Sequence, residues 1–337
     1  MQNKKRAVKL INGALLALMF GAAATIIAAQ QGPGGAPQPL MVHQLKPNIY
    51  WVEGAGGNSA VIVGTNGVIV VDTKTTAPAG AELVADVAKI TPKPITTVIL
   101  THSDGDHVNG LASFPAGIAI IAQENCKTEM QAASNTPAGA ALADHMPTRI
   151  VTKNMEDTTV EGVHLRLLHF APAHTSGDLM VYLPDDKIMF TGDIVAAQAP
   201  YPLIHTEKNG SSEGWITTMN GILATDAVTF VPGHGDVQMK ADLQKRLADT
   251  TARRDQIKAL AAQGKSLDEV RQGLGDPPPA TRGPGGLGGP GAGGPGGAAM
   301  GGGPGPGGPG AGGGAARPPG PNFMDFTGVV YGEVTKK

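Results

Sequence analysis

Cysteine, aromatic and charged residues are all scarce in this sequence of 337 residues. Cys126 is the single cysteine, so an intramolecular disulfide framework and a zinc site built from several thiolates are both excluded. Charged residues make up 16% of the chain and aromatic residues 4%, with a formal net charge of −2. This balance provides no basic, aromatic-rich surface for a nucleic-acid partner. A metal site in this chain must therefore be built from His, Asp and Glu.

The first 29 residues have the pattern of a secretory signal peptide. Four basic residues within the first nine positions precede an apolar run over 10–29, which ends in small residues. This run of about 20 residues is long enough to cross a bilayer, so an uncleaved membrane anchor is the alternative. We therefore expect a periplasmic or secreted protein, which contacts the membrane only if the segment stays uncleaved.

Glycine and proline are concentrated near the other end of the chain. Residues 277–321 contain 21 glycines and 12 prolines in 45 positions, without the strict triplet period of collagen. This composition predicts a disordered linker over 276–321. The rest of the chain then divides into a spacer at 30–47, one folded domain at 48–275, and a C-terminal segment at 322–337 that we expect to dock on the domain.

Apolar patterning within the central domain predicts strands and helices in mixed order. Short β-branched runs predict strands at 49–52, 59–63, 68–71, 95–100, 118–121, 163–168, 179–183, 187–190 and 228–231. Helical spacing predicts helices at 78–90, 124–133, 213–223 and 238–264, and a short one that begins at Ser266 and ends at Leu274. Asn66-Gly67 predicts a hairpin between two of the strands. Antiparallel meanders with helices between them favour an α+β fold of two sheets sandwiched by helices.

Histidine and aspartate cluster at the ends of four predicted strands. The run at 101–110, Thr-His-Ser-Asp-Gly-Asp-His-Val-Asn-Gly, follows one strand, and three further polar turns follow later strands. A single histidine after a strand is more often an ordinary loop residue. Four strand ends with the same chemistry are instead typical of a divalent-metal site. The candidate ligands are His102, Asp104, Asp106, His107, His174, Asp193 and His234.

The order and spacing of these loops resemble the metallo-β-lactamase superfamily. Its signature is His-x-His-x-Asp-His, followed by a His, a Gly-Asp pair and a late His, and the resemblance covers 49–234. It implies a four-layer αββα sandwich that holds two metal ions. By this resemblance, Asp72 braces the metal loop and Asp106 takes part in catalysis by holding or moving a proton. The implied ligands are His102, Asp104 and His174 for the first ion, and Asp106, His107 and His234 for the second, with Asp193 bridging the two.

The chain departs from the family signature at Asp104, which stands where the family has its second histidine. An aspartate oxygen reaches about as far as the imidazole nitrogen nearer the backbone, which favours retained metal binding. The alternatives are a protein that holds only the second ion and a non-catalytic scaffold. Two Zn²⁺ ions are expected, with manganese or iron as alternatives at the Asp104 site because oxygen is a harder ligand.

The resemblance implies hydrolysis of a small ester, thioester, lactone or lactam by a hydroxide that bridges the two ions. Asp193 favours the thioesterase and lactonase branches, because antibiotic-degrading members typically have Cys or Ser at that position. The export signal favours a β-lactamase proper, and a non-catalytic or redox metal-binding protein on the same scaffold is the competing class. By the same resemblance, contacts to the small-molecule substrate are expected from Tyr201, His205, Lys208 and Asn209.

Overall fold

The computed structural model describes residues 39–136, 139–276 and 325–336, and these belong to one compact unit. The predicted signal peptide, and the predicted linker beyond Asp276, lie outside the described residues. Across the described ranges, no helix is long and apolar enough to cross a membrane.

One sheet has seven strands in sequence order. The first four form an antiparallel meander, and the fourth to seventh run parallel. The predicted hairpin around Asn66-Gly67 is present, with Val63 paired to Val68. The strands are β1 (Met41–Lys46), β2 (Ile49–Glu53), β3 (Ser59–Val63), β4 (Val68–Val71), β5 (Ile95–Ile99), β6 (Ala119–Gln123) and β7 (Arg149–Val151).

The second sheet has six strands. They are β8 (Met155–Val160), β9 (Val163–Leu168), β10 (Met180–Leu183), β11 (Ile188–Ala196), β12 (Thr229–His234) and β13 (Gln238–Met239). Their order across the sheet is β13-β12-β11-β10-β9-β8. Only β11 and β12 run parallel, and the other neighbouring pairs within this sheet are antiparallel.

Seven α-helices occur in the described part of the chain. They are α1 (Ala77–Ile90), α2 (Gly105–Val108), α3 (Glu124–Ser134), α4 (Ser212–Ala224), α5 (Lys240–Ala262), α6 (Leu267–Leu274) and α7 (Phe326–Thr335). Local sequence sets several of their ends. Thr76 caps α1 by accepting from the backbone N–H of Ala79, and Ser266 and Glu269 form the predicted capping box of α6.

Three apolar clusters hold four layers together. Between the sheets, Ile69 and Val71 pack with Val181 and Leu183. The outer face of the first sheet packs on α1 and α3, and the outer face of the second packs on α4, α5, α6 and α7. Burial of these faces is the main force that holds the layers together. The predicted α+β class with an αββα sandwich is confirmed.

The structure corrects the predicted boundary between spacer and domain. β1 lies at 41–46, within the predicted spacer, and pairs with β2 from Met41 opposite Glu53 to Lys46 opposite Ile49. Its residues are exposed or half-buried throughout, because it lies at the edge of the sheet, where half-buried Leu45 packs against the cluster between the sheets. An edge strand of this kind carries no hydrophobic run, which is why the sequence does not indicate it.

β11 is longer than predicted. The sequence predicts a strand that ends at Phe190, before Thr-Gly-Asp, but the strand continues through Asp193 to Ala196. Gly192 has φ +53, and the register with β12 shifts on both sides of it. A Cβ at Gly192 would lie 2.6 Å from the Thr101 side chain. Glycine therefore marks a bulge inside a buried strand here, rather than the end of the strand.

α7 lies in the segment predicted to dock on the domain. Val329 and Val330 are buried in the cluster outside the second sheet. The Glu333 carboxylate accepts from the backbone N–H of Ser212 at 2.7 Å, at the first turn of α4. Asp325 pairs with Arg271 of α6 at 3.0 Å. Both apolar and charged contacts thus tie α7 to the helices of the outer layer.

Candidate metal centre

The seven candidate ligands converge where the ends of strands from both sheets meet. His102 and Asp104 follow β5, Asp106 and His107 lie on α2, and His174 follows β9. Asp193 lies within β11, and His234 is the last residue of β12. Among the described residues, three groups have their ligand atoms within 4.8 Å of one another: His102, His107 and Asp193; His102, Asp104 and His174; and Asp106, His107 and His234.

Asp193 lies between the two predicted halves of the centre. Its Oδ1 is 3.2 Å from Nε2 of His107, while its Oδ2 is 3.4 Å from Nε2 of His234 and 3.8 Å from Nε2 of His174. The Asp193 carboxylate thus faces His174, a predicted ligand of the first ion, and His107 and His234, two predicted ligands of the second ion. This is the arrangement that a bridging ligand requires.

The buried polar atoms of the centre fit a divalent cation. Nε2 of His102, Nε2 of His107 and Oδ1 of Asp193 are buried, and none has a hydrogen-bond partner within the described ranges. A buried polar atom without such a partner costs about 1–3 kcal/mol. A cation ligated by these atoms would remove that cost, and imidazole with carboxylate is a suitable donor set for it. The residues present therefore fit a metal ion.

Opposite charges shift the pKa values throughout the cluster. Burial lowers the pKa of His107, but the carboxylates of Asp193 and Asp72 outweigh burial and hold it well above its usual range. Burial opposes the shift at His174 and His234 as well. The hydrogen bond with Asp104 raises the pKa of His174 to about 9, and hydrogen bonds with Asp106 and Asp193 raise that of His234 to about 10. The raised pKa values of His107, His174 and His234 mean that metal binding at these rings would release protons.

Hydrogen bonds behind the cluster orient the imidazole rings. Oδ2 of Asp72 accepts from Nδ1 of His107 at 2.8 Å and from the Thr101 hydroxyl at 2.7 Å. Nδ1 of His174 donates to the carbonyl of Leu203 at 2.8 Å. In both rings Nδ1 is engaged away from the centre, so Nε2 points into it. Asp72 thus has the contacts expected of a residue that braces the metal loop.

A glycine-rich turn between β2 and β3 closes over His107, and the sequence analysis did not identify it. A Cβ at Gly57 would lie 2.1 Å from Cε1 of His107, so only glycine fits under this ring. The side chain of Asn58 donates to the carbonyls of Pro232 and Gly235, on either side of His234. The only sequence signal was the run Gly-Ala-Gly-Gly at 54–57.

Lys74 anchors this turn through hydrogen bonds to its backbone, and the sequence did not indicate this role either. Its side chain is fully buried, and Nζ donates to the carbonyls of Val52 at 2.6 Å and Gly57 at 2.9 Å. Burial lowers its pKa to about 7, although Asp72 and Glu53 oppose that shift. The ammonium group therefore ties the start and the end of the turn together next to the metal loop.

The four residues predicted to contact substrate do not lie together. Tyr201 stacks on Phe326 of α7 at 5.4 Å and lies against Arg253 of α5, so it packs against the outer helical layer. Asn209 is exposed with φ +56 and ends the 3₁₀ helix Thr206–Lys208. Tyr201 thus contacts α5 and α7, and the expectation that all four residues contact substrate stays a prediction.

His205 and Lys208 do reach the cluster, and both face Asp104. Nζ of Lys208 lies 2.5 Å from Oδ1 of Asp104 and 2.9 Å from the hydroxyl of Ser103. Nε2 of His205 lies 2.9 Å from Oδ2 of Asp104. Burial raises the pKa of Asp104, but the neighbouring imidazoles of His102, His174 and His205 outweigh burial and hold the pKa well below its usual range. Asp104 is therefore an ionised carboxylate surrounded by basic side chains.

Two relatives of this chain carry the names of hydrolases. A linear primary-alkylsulfatase from Pseudomonas sp. is 25% identical over 218 residues, which is 52% of this chain and 40% of that protein. An atrochrysone carboxyl ACP thioesterase from Cryptosporiopsis sp. is 24% identical over 249 residues, which is 69% of this chain and 68% of that protein. The chain thus spans well under half of the alkylsulfatase and about two thirds of the thioesterase.

Solved structures share the fold at lower identity. A stereoselective inverting sec-alkylsulfatase from Pseudomonas sp. superposes with a TM-score of 0.60 at 20% identity, over 71% of this chain and 46% of that one. A metallo-beta-lactamase from Pontibacter korlensis gives 0.55 at 18% identity, over 63% of this chain and 99% of that one. The profile of the metallo-beta-lactamase superfamily matches residues 52–234, from β2 to the last predicted ligand. This chain belongs to the metallo-beta-lactamase superfamily.

Proposed function

We propose that this protein is an exported, metal-dependent hydrolase of a small ester, thioester, lactone or lactam. The observation that carries the proposal is the convergence of seven His and Asp side chains, from strands and loops of both sheets and from α2, on one centre. Hydrolases of esters and thioesters occur among the relatives, since one is named an alkylsulfatase and another a thioesterase. A sulfate ester therefore joins the candidate substrates.

Two divalent ions held at this centre would supply Lewis-acid activation of water and of the scissile group. His102, Asp104 and His174 would hold one ion, Asp106, His107 and His234 the other, and Asp193 would contact both. Zinc suits this imidazole and carboxylate donor set, and the extra carboxylate at Asp104 makes manganese or iron alternatives there.

Asp106 would move a proton during hydrolysis. Its side chain is 34% exposed, against 5% for Asp193 and 11% for Asp104, so it is the carboxylate of the cluster that solvent reaches most easily. Burial raises its pKa, but His234 and His107 outweigh burial and keep it ionised at neutral pH. An ionised carboxylate beside the reacting water can accept its proton and pass it on.

The experiment compares wild type with His174→Ala and with His164→Ala. His174 is buried in the centre, whereas His164 lies on β9 with a side chain that is 41% exposed. Each protein is purified in metal-supplemented buffer, its metal content is measured, and turnover is followed on a sulfate ester, a thioester, a lactone and a lactam.

Wild type and His164→Ala should hold close to two ions and hydrolyse one class in the panel. His174→Ala should lose about one ion and at least about 100-fold in kcat/KM. Turnover of the lactam alone would identify a β-lactamase. Bound metal without turnover of any class would favour a non-catalytic or redox protein, and wild type without bound metal would refute the proposal.

A further inference from the structure

We infer that His205 is an additional ligand of the first metal ion, an inference that rests on the metal centre of the proposed function. Position 104 carries an aspartate where the family signature has a histidine. His205 supplies an imidazole from a different loop to the same side of the centre. This role replaces the substrate contact that the sequence predicts for His205.

The positions of three imidazoles around one carboxylate oxygen support this assignment. Oδ2 of Asp104 lies 2.9 Å from Nε2 of His205, 3.1 Å from Nε2 of His174 and 3.7 Å from Nε2 of His102. All three imidazoles are at least 97% buried. The rings of His174 and His205 meet edge to face, with centroids 4.7 Å apart. His205 thus approaches Asp104 as closely as the two predicted histidine ligands do.

Glu207 holds the ring of His205 in the orientation that a ligand needs. Oε1 of Glu207 lies 2.5 Å from Nδ1 of His205, on the side of the ring away from Asp104. The same device holds His107 through Asp72 and His174 through the Leu203 carbonyl. A carboxylate on Nδ1 fixes the tautomer that presents Nε2 to a metal and increases the basicity of that nitrogen.

Backbone hydrogen bonds fix the loop that carries His205 against the loop that carries His174. The N–H of His205 donates to the carbonyl of His174 at 2.8 Å, and the N–H of Ser176 donates to the carbonyl of Lys208 at 2.8 Å. A Cβ at Gly210 would lie 2.3 Å from the carbonyl oxygen of His174, so the two loops are in tight contact. The position of His205 therefore comes from the backbone and not from its side chain alone.

An additional ligand would raise the number of protein ligands at the first ion and with it the binding affinity. With His102, Asp104, His174 and His205, the first site has four protein ligands besides Asp193, whereas the second has three. More protein ligands favour tighter binding, while open positions are typical of the ion that activates water. We therefore expect the first ion to bind more tightly than the second.

The test is a titration of the metal-free protein with Zn²⁺ in competition with a chromophoric chelator. It uses wild type, His205→Ala, Glu207→Gln and the control His164→Ala. His205→Ala should weaken the tighter site by at least about 100-fold and leave the weaker site within about threefold, and Glu207→Gln should weaken the tighter site by about tenfold. With Co²⁺ in place of zinc, the visible absorption should change in His205→Ala and stay unchanged in His164→Ala.

Unchanged zinc affinity in His205→Ala, at an unchanged melting temperature of the metal-free protein, would overturn the inference. If His205→Ala does not fold, Glu207→Gln decides, and unchanged affinity in that variant would equally overturn it. Wild-type protein that binds no zinc would refute both this inference and the proposed function. Wild-type binding of two ions with no effect of either variant would refute this inference alone.

Discussion

Nζ of Lys208 lies 2.5 Å from Oδ1 of Asp104, so an ammonium group contacts a predicted metal ligand directly. A positive charge at this distance disfavours a second cation on the same carboxylate. Lys208 would therefore compete with a metal ion bound at the proposed first site.

Lys208→Met should bind the first ion about tenfold more tightly than wild type, because the competing charge is removed. Zinc affinity measured at two salt concentrations checks this, since the difference should shrink at higher salt. Lys245→Met is the matched control, because that lysine is 76% exposed on α5. Weaker binding in Lys208→Met would mean instead that Lys208 mainly holds the loop of His205 in place.

Asp72→Asn should weaken zinc binding at the second site by about 10- to 100-fold. The amide still accepts a hydrogen bond but does not stabilise the orientation of His107 as the carboxylate does. Asp157→Asn, at an exposed position on β8, is the control and should bind zinc like wild type. Equal zinc affinity in the two variants would show that His107 keeps its orientation without the charge of Asp72.

Lys74 should make stability depend on pH. Its pKa is about 7 in the folded protein and 10.5 in the unfolded chain. Between these values the unfolded chain binds a proton that the folded protein has lost, so the free energy of unfolding rises with pH. Below pH 7 the buried lysine is charged in the folded protein, and the free-energy cost of burying this charge is at its maximum.

Lys74→Met should lack this contribution. The free energy of unfolding of wild type minus that of Lys74→Met should rise by about 3 kcal/mol from pH 7 to pH 10. Urea unfolding of both proteins at the two pH values measures this difference. The contributions of all other titratable groups are common to both proteins and cancel in the subtraction. If the difference in the free energy of unfolding does not change with pH, burial does not lower the pKa of Lys74.

Val330→Ala should lower the free energy of unfolding by about 2 kcal/mol. Val330 is fully buried between α7 and the outer helical layer, and alanine leaves a cavity without reducing helix propensity. Thr335→Ala, at an exposed position on the last turn of α7, is the control. A loss below about 0.5 kcal/mol would indicate that α7 contributes little to the stability of the domain.

Local chemistry made much of this protein predictable from its sequence. The hairpin at Asn66-Gly67 and the capping box at Ser266 depend on residues that are neighbours in the chain, so short patterns reveal them. The ligand types in four successive turns indicated a metal centre, and the alternation of strands and helices indicated two sheets between helices. β1 escaped prediction because an exposed edge strand has no apolar pattern.

The tertiary structure alone decided which distant residues meet. Asp104 contacts Lys208 and His205, which lie about 100 positions later in the chain, because backbone hydrogen bonds hold their loop against the loop of His174, which also contacts Asp104. Tyr201 packs on Phe326 because α7 returns to the outer layer. Sequence patterns record the local period of a helix or strand, whereas these contacts depend on how whole sheets and helices pack. The sequence by itself therefore determined the ligand types and the fold class, and the packing of the layers decided which side chains surround each ligand.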